Sequence, residues 1–163
     1  MQPTDTVTTL FRHHLWANLR LLERCATLTD DQLEATIGGA FGSIHATLHH
    51  IVTSEQSYFS RISTGQPLHH PDDAPLLPPA ELIESARATG AGLIEWAAKV
   101  RTDETVEVGW EGTPRDVPKT IILTQIINHA TEHRAQVMAI LTHLGVEPPD
   151  LQAWEYFDEL EQQ

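Results

Sequence analysis

The chain is short of several things, and each shortage removes a class of function. It has one cysteine, Cys25, so neither an intramolecular disulfide framework nor a CxxC zinc ribbon can be built. Lysine and arginine total 10 against 23 acidic residues, a formal net charge of −13. A nucleic acid backbone or an anionic membrane surface is held by clustered basic groups, so neither is an expected partner. Apolar runs extend only a few residues, too short for a transmembrane span. Glycine-rich phosphate loops, internal repeats and low-complexity tracts are absent. Residues 1–5 lead directly into a helical pattern without the basic start and apolar stretch of a signal peptide. With an unpaired thiol, this suggests a cytoplasmic protein.

Histidine, by contrast, is abundant, with ten residues. Apolar residues make up 40% and charged residues 20% of 163, which suits one soluble domain over residues 1–163. Residues 120–145 read TIILTQIINHATEHRAQVMAILTHLG. Wound as a helix, they place Ile122, Ile126, His129, His133, Val137, Ile140 and Leu144 on one stripe. His129 and His133 are four apart, so both imidazoles can point at one atom. Left unpaired in a core, they would cost a few kcal/mol. A metal ion would satisfy them, as would carboxylate or carbonyl partners. HATEH lacks the glutamate that follows the first histidine in HExxH metalloproteases, and the paired Glu-x-x-His motifs of di-iron bundles are missing.

A first helix is predicted from Thr4 to about Ala26, capped by Thr4 or Asp5. Leu10, Leu15, Leu19 and Leu22, with Phe11 and Trp16, form its apolar face. His13 and His14 are adjacent, so only one can face inward. Gly38-Gly39 breaks the pattern, and Ser43 caps a second helix that runs to about Thr64 and stops at Gly65. Its apolar face carries Ile44, Leu48, Ile51, Tyr58, Phe59 and Ile62. Glu55 falls near the centre of that face, either paired with Arg or His across a bundle or part of a site. His49 and His50 each lie more than about 100° from the stripe centre, and the helical wheel does not choose between them. Residues 66–79 hold five prolines and form a long loop. Pro78-Pro79 opens a third helix through Leu82, Ala86, Leu93 and Ala97, in which Gly90 and Gly92 permit close contact. Residues 105–118 suggest a small hairpin or ordered loop, with Trp110 as a wall of a site or as part of a core cap. Gly145 and Pro148-Pro149 end the histidine helix. A last short helix over residues 150–160 should turn Leu151, Trp154 and Phe157 inward.

The spaced residues Thr47-Leu48-His49-His50-Ile51, Glu55, Tyr58 and Arg61 resemble the second helix of the DinB/YfiT-like family of metal-binding bundles. Asn128-His129-Ala130-Thr131-Glu132-His133-Arg134-Ala135-Gln136 is similar to that family's NHxxxHRxQ signature. Leu144-Gly145-Val146-Glu147-Pro148-Pro149 matches its LGxxPP tail, and Trp16-Ala17-Asn18 its WAN element. The resemblance implies an all-α, up-down-down-up four-helix bundle, frequently a homodimer. It also implies His50, His129 and His133 as metal ligands, with zinc the leading ion and nickel, iron(II) and manganese as alternatives. Glu55, Asn128, Glu132 and Gln136 are the candidates to orient those ligands. His14 stands where the family often has asparagine and would add a fourth nearby nitrogen. The activity implied is a metal-dependent transferase or isomerase that uses a low-molecular-weight thiol (bacillithiol, mycothiol or glutathione) on a small electrophile. The alternative is a metal-binding stress-response protein without turnover.

Overall fold

Local capping chemistry sets most of the helix boundaries. In the computed structural model, which describes residues 5–71, 74–110 and 112–162, the Asp5 carboxylate accepts the Thr8 N–H at 2.9 Å and starts α1 (Thr6–Cys25). Thr4, the other expected cap, lies outside the described residues. Thr29 and Gln32 close a reciprocal capping box around the short α2 (Asp30–Leu33). Ser43 Oγ accepts the Ala46 N–H and begins α3 (Ile44–Thr64). That helix ends at Gly65, whose φ of 77° is a left-handed conformation that side chains resist. Pro79 opens α4 (Pro79–Ala97). The expected hairpin is present as β1 (Thr105–Trp110) paired antiparallel with β2 (Thr113–Pro118). It leads straight into α5 (Lys119–His143), and α6 (Ala153–Glu161) follows.

The four long helices make the all-α bundle expected from the sequence. α1 packs on α4, α4 on α3, α3 on α5, and α5 back on α1. α1 and α3, consecutive among the long helices, therefore face each other across the diagonal. Close approach to α4 depends on its glycines: a Cβ on Gly90 would stand 2.5 Å from Leu15 Cδ1, and one on Gly92 2.5 Å from Phe59 Cζ. Among the described residues no helix is long and apolar enough to cross a membrane.

The apolar core comes in two parts. One gathers Leu21, Leu22, Ile44, Leu48, Leu82 and Ile140, and the other Phe11, Ile62, Leu93, Ile122 and Ile126. Along α1 and α3, the positions between these parts carry the buried polar side chains His14, Asn18 and Glu55, and the buried Arg134 joins them from α5. This layer rotates α1 away from the expected face. Phe11 and Leu22 of that face are buried as expected, but the inward stripe also takes His14, Asn18, Leu21 and Cys25, whereas Leu10 is 46% exposed. Leucines alone could not reveal that polar groups hold the inward positions.

The last helix also departs from expectation. Trp154 is 77% exposed and Phe157 is exposed as well. α6 docks instead through its other face. Tyr156 packs its ring against His13 and Trp16, Glu159 accepts the Trp16 indole N–H at 2.8 Å, and Arg20 pairs with Glu159 at 2.9 Å.

Candidate metal centre

His129 and His133 project from successive turns of α5, and α3 supplies the third imidazole from His50. The ring centroids lie 4.5–4.9 Å apart. One nitrogen from each residue falls within 4.8 Å of the others. Packing decides what the helical wheel left open. His50 sits on the side of α3 that meets α5, whereas His49 is close enough to His45 and His70 to feel their charges.

The donor set fits a divalent cation. His50 Nε2 and His129 Nε2 are 3.0 Å apart. Two imidazoles bound tetrahedrally at the usual zinc–nitrogen distance would be about 3.3 Å apart. Burial, and then the neighbouring histidines, hold His129 down at about 4 and push His50 in the same direction. Both rings are therefore neutral at neutral pH, with lone pairs available to a metal.

His133 is oriented by a neighbour on its own helix. Gln136 Oε1 accepts the Phe41 backbone N–H at 3.1 Å and lies 3.0 Å from His133 Nδ1. Because the Phe41 amide can only donate, the Gln136 oxygen faces both groups. His133 Nδ1 must then carry the proton, which leaves Nε2 with the lone pair. Phe41 also stacks on His50 at 4.2 Å and 16°, and meets His133 edge-on at 5.1 Å. Tyr58 stands edge-on to His129 at 5.9 Å. The cluster is thus bracketed by two aromatic rings. Sequence reasoning missed Phe41, because a residue between glycines in a loop has no periodicity to mark it.

Other candidates lie elsewhere. Asn128 and Glu132 are exposed on α5 and make no hydrogen bond to the three histidines among the described residues. They sit on the solvent side of the turns that carry the ligands. His14 does not join the cluster as a fourth nitrogen. Its Nε2–H donates to Glu55 Oε2 at 2.7 Å, so the Glu55 carboxylate is paired across the bundle. Asn18 Nδ2 donates to the same oxygen at 2.9 Å, and Arg134 Nη1 donates to Asn18 Oδ1 at 2.6 Å. Burial lowers Arg134 to about 10, with the Glu55 charge opposing that shift, so it remains a cation at neutral pH. Asn18 and Arg134 lie inside the motifs that carried the family resemblance, but nothing local marked them as buried partners. The Trp110 side chain, considered as a wall, lies outside the described residues.

A family model described as the DinB family matches residues 1–162. Solved structures that share the fold include two DinB-like proteins. A DinB-like protein from Bacillus subtilis aligns with a TM-score of 0.64 at 15% identity, covering 91% of this chain and 99% of that one. A DinB-like protein from Bacillus cereus aligns at 0.61 with 20% identity, covering 85% and 91%. No curated protein matches the sequence.

Proposed function

This chain belongs to the DinB family, and on that premise we propose a divalent-metal-dependent enzyme that transfers a low-molecular-weight thiol to a small electrophile, or isomerises one. The observation that carries the reading is the convergence of three imidazoles from two helices, with no fourth protein donor in the group among the described residues. Three protein ligands leave a position for a small molecule, as in catalytic rather than structural zinc sites. Imidazole donors suit zinc, and nickel, iron(II) or manganese are the other ions to test. A divalent ion held by His50, His129 and His133 supplies the positive charge that keeps a thiol deprotonated at neutral pH.

The protein's own groups hold that geometry. Gln136 keeps the His133 lone pair on Nε2, while Phe41 and Tyr58 shield the rings from water on two sides. In transfer, a sulfur–carbon bond forms as the electrophile's leaving group departs with its electron pair, and the thiol proton passes to solvent. Cys25 is not the nucleophile, being 1% exposed with its thiol pushed up to about 12.

The test is consumption of bacillithiol, mycothiol or glutathione with 1-chloro-2,4-dinitrobenzene and related electrophiles, with and without added metal. Metal-dependent turnover supports the reading, and its absence with every thiol rejects it. Stoichiometric metal without turnover would favour a non-catalytic metal-binding stress-response protein. We also propose a homodimer. Val7, Leu10, Trp154 and Phe157 expose apolar surface on α1 and α6, and Leu10 and Phe157 line one shared cavity.

A further inference from the structure

A cavity of about 300 Å³ lies between α3, the hairpin and the start of α5. It shares Tyr58 with the histidine cluster, since the ring that walls the cavity is also the one set edge-on to His129. Gln125, on its rim, precedes His129 by one turn of α5, an axial rise of about 6 Å. The cavity therefore adjoins the candidate metal centre along both helices that build it.

Its lining has a definite chemistry. Val108 and Val117 come from opposite strands of the hairpin, and Ile121 and Ile122 from the first turn of α5. The single charged group in the lining is Arg61, half-buried and one turn beyond Tyr58 on α3. Among the described residues Arg61 has neither a carboxylate partner nor a side-chain hydrogen bond. Arg20, Arg87 and Arg101 each pair with an acid, and the other arginines with neither kind of partner among the described residues, Arg12 and Arg115, are exposed, whereas Arg61 is half-buried in the lining of this cavity. A guanidinium with free donors at the edge of an apolar cavity is suited to bidentate capture of a planar anion. Low-molecular-weight thiols are strongly polar and would leave the valine and isoleucine walls against polar groups. The volume is at the small end of ligand pockets.

We propose that this cavity binds a small organic acid, with its hydrocarbon body against Val108, Val117 and Ile122 and its carboxylate on Arg61. That this acid is the electrophile rests on the thiol-transfer reading. The binding itself does not.

Binding is tested by calorimetric titration of the purified protein with 3-phenylpropionate and with its uncharged amide. The acid should bind saturably, and the amide at least about tenfold more weakly, as expected for losing charge-assisted hydrogen bonds. R61Q should bring the acid down to the level of the amide while leaving the amide unchanged. I121E, at a site 57% exposed and so tolerant of a polar side chain, should weaken the acid by adding a carboxylate at the mouth. Circular dichroism of both variants should match the parent. Repeating the titration in the presence of a chelator separates the two proposals. Arg61-dependent binding that survives chelation stands even where thiol turnover is never found. No saturable binding of the acid, equal binding of acid and amide, or an acid affinity unchanged in R61Q would each overturn the proposal. Binding that vanishes with chelation yet survives R61Q would place the carboxylate on the histidine cluster and overturn it too.

Discussion

A single amide oxygen, Gln136 Oε1, connects the Phe41 backbone to the His133 ring and so fixes which nitrogen of that ring can bind a metal. Partners of this kind are typically worth about 10–100-fold in metal affinity. Gln136→Leu should therefore weaken zinc binding by about that factor in competition with a chromophoric chelator. An unchanged affinity would remove Gln136 from the site. Acid should also weaken the metal-free protein. His129 is held at about 4 when folded, against an ordinary value of 6.5, so between these pH values the unfolded chain binds more protons than the folded one. Stability should fall as pH drops from 6.5 toward 4, with no contribution from this residue above that window. Urea midpoints at pH 7 and pH 5, with a chelator present, read the effect, and His129→Ala should show a shallower loss. An equal loss in parent and variant would mean that His129 is not held neutral.

At the level of the helices, α1 and α3 meet across the bundle through Glu55. Its carboxylate accepts from both His14 and Asn18, and Asn18 in turn binds the buried Arg134 of α5. Glu55→Ala would strand those donors and leave Arg134 without its compensating charge, a loss of about 3–5 kcal/mol. Glu55→Gln keeps an acceptor and should cost less. Chemical denaturation distinguishes the two, and a Glu55→Ala loss below about 1 kcal/mol would contradict the network's structural role. This layer also marks where sequence reading stopped. Ser43, Gly65 and Pro79 announced their helix ends because capping is local chemistry. The His129–His133 pair was visible because both histidines lie on one helix. Pairing of His14 with Glu55, and the choice of His50 over His49, depend on how helices distant in sequence pack together. The rotated face of α1 went unread for the same reason, since apolar periodicity weights leucines and gives no weight to a buried His14 or Asn18.

At the scale of the whole molecule, the bundle buries its polar layer but leaves apolar surface on one side. Trp154 is 77% exposed on a helix whose other face is already docked on α1. Trp154→Glu should shift the proposed dimer toward monomer in sedimentation equilibrium without changing helix content, whereas a parent that is already monomeric would contradict the dimer. The architecture and the family were legible from motifs spread through the chain, but the cavity beside Tyr58 was not. Its walls come from α3, the hairpin and α5, which are remote in sequence and meet only in the fold. The proposed single metal site of His50, His129 and His133 is tested by elemental analysis of protein purified without an affinity tag. One divalent ion per chain is expected, lost alike in His50→Ala, His129→Ala and His133→Ala variants that keep the parent's helix content. A parent chain with no stoichiometric metal and no affinity for added zinc would contradict it.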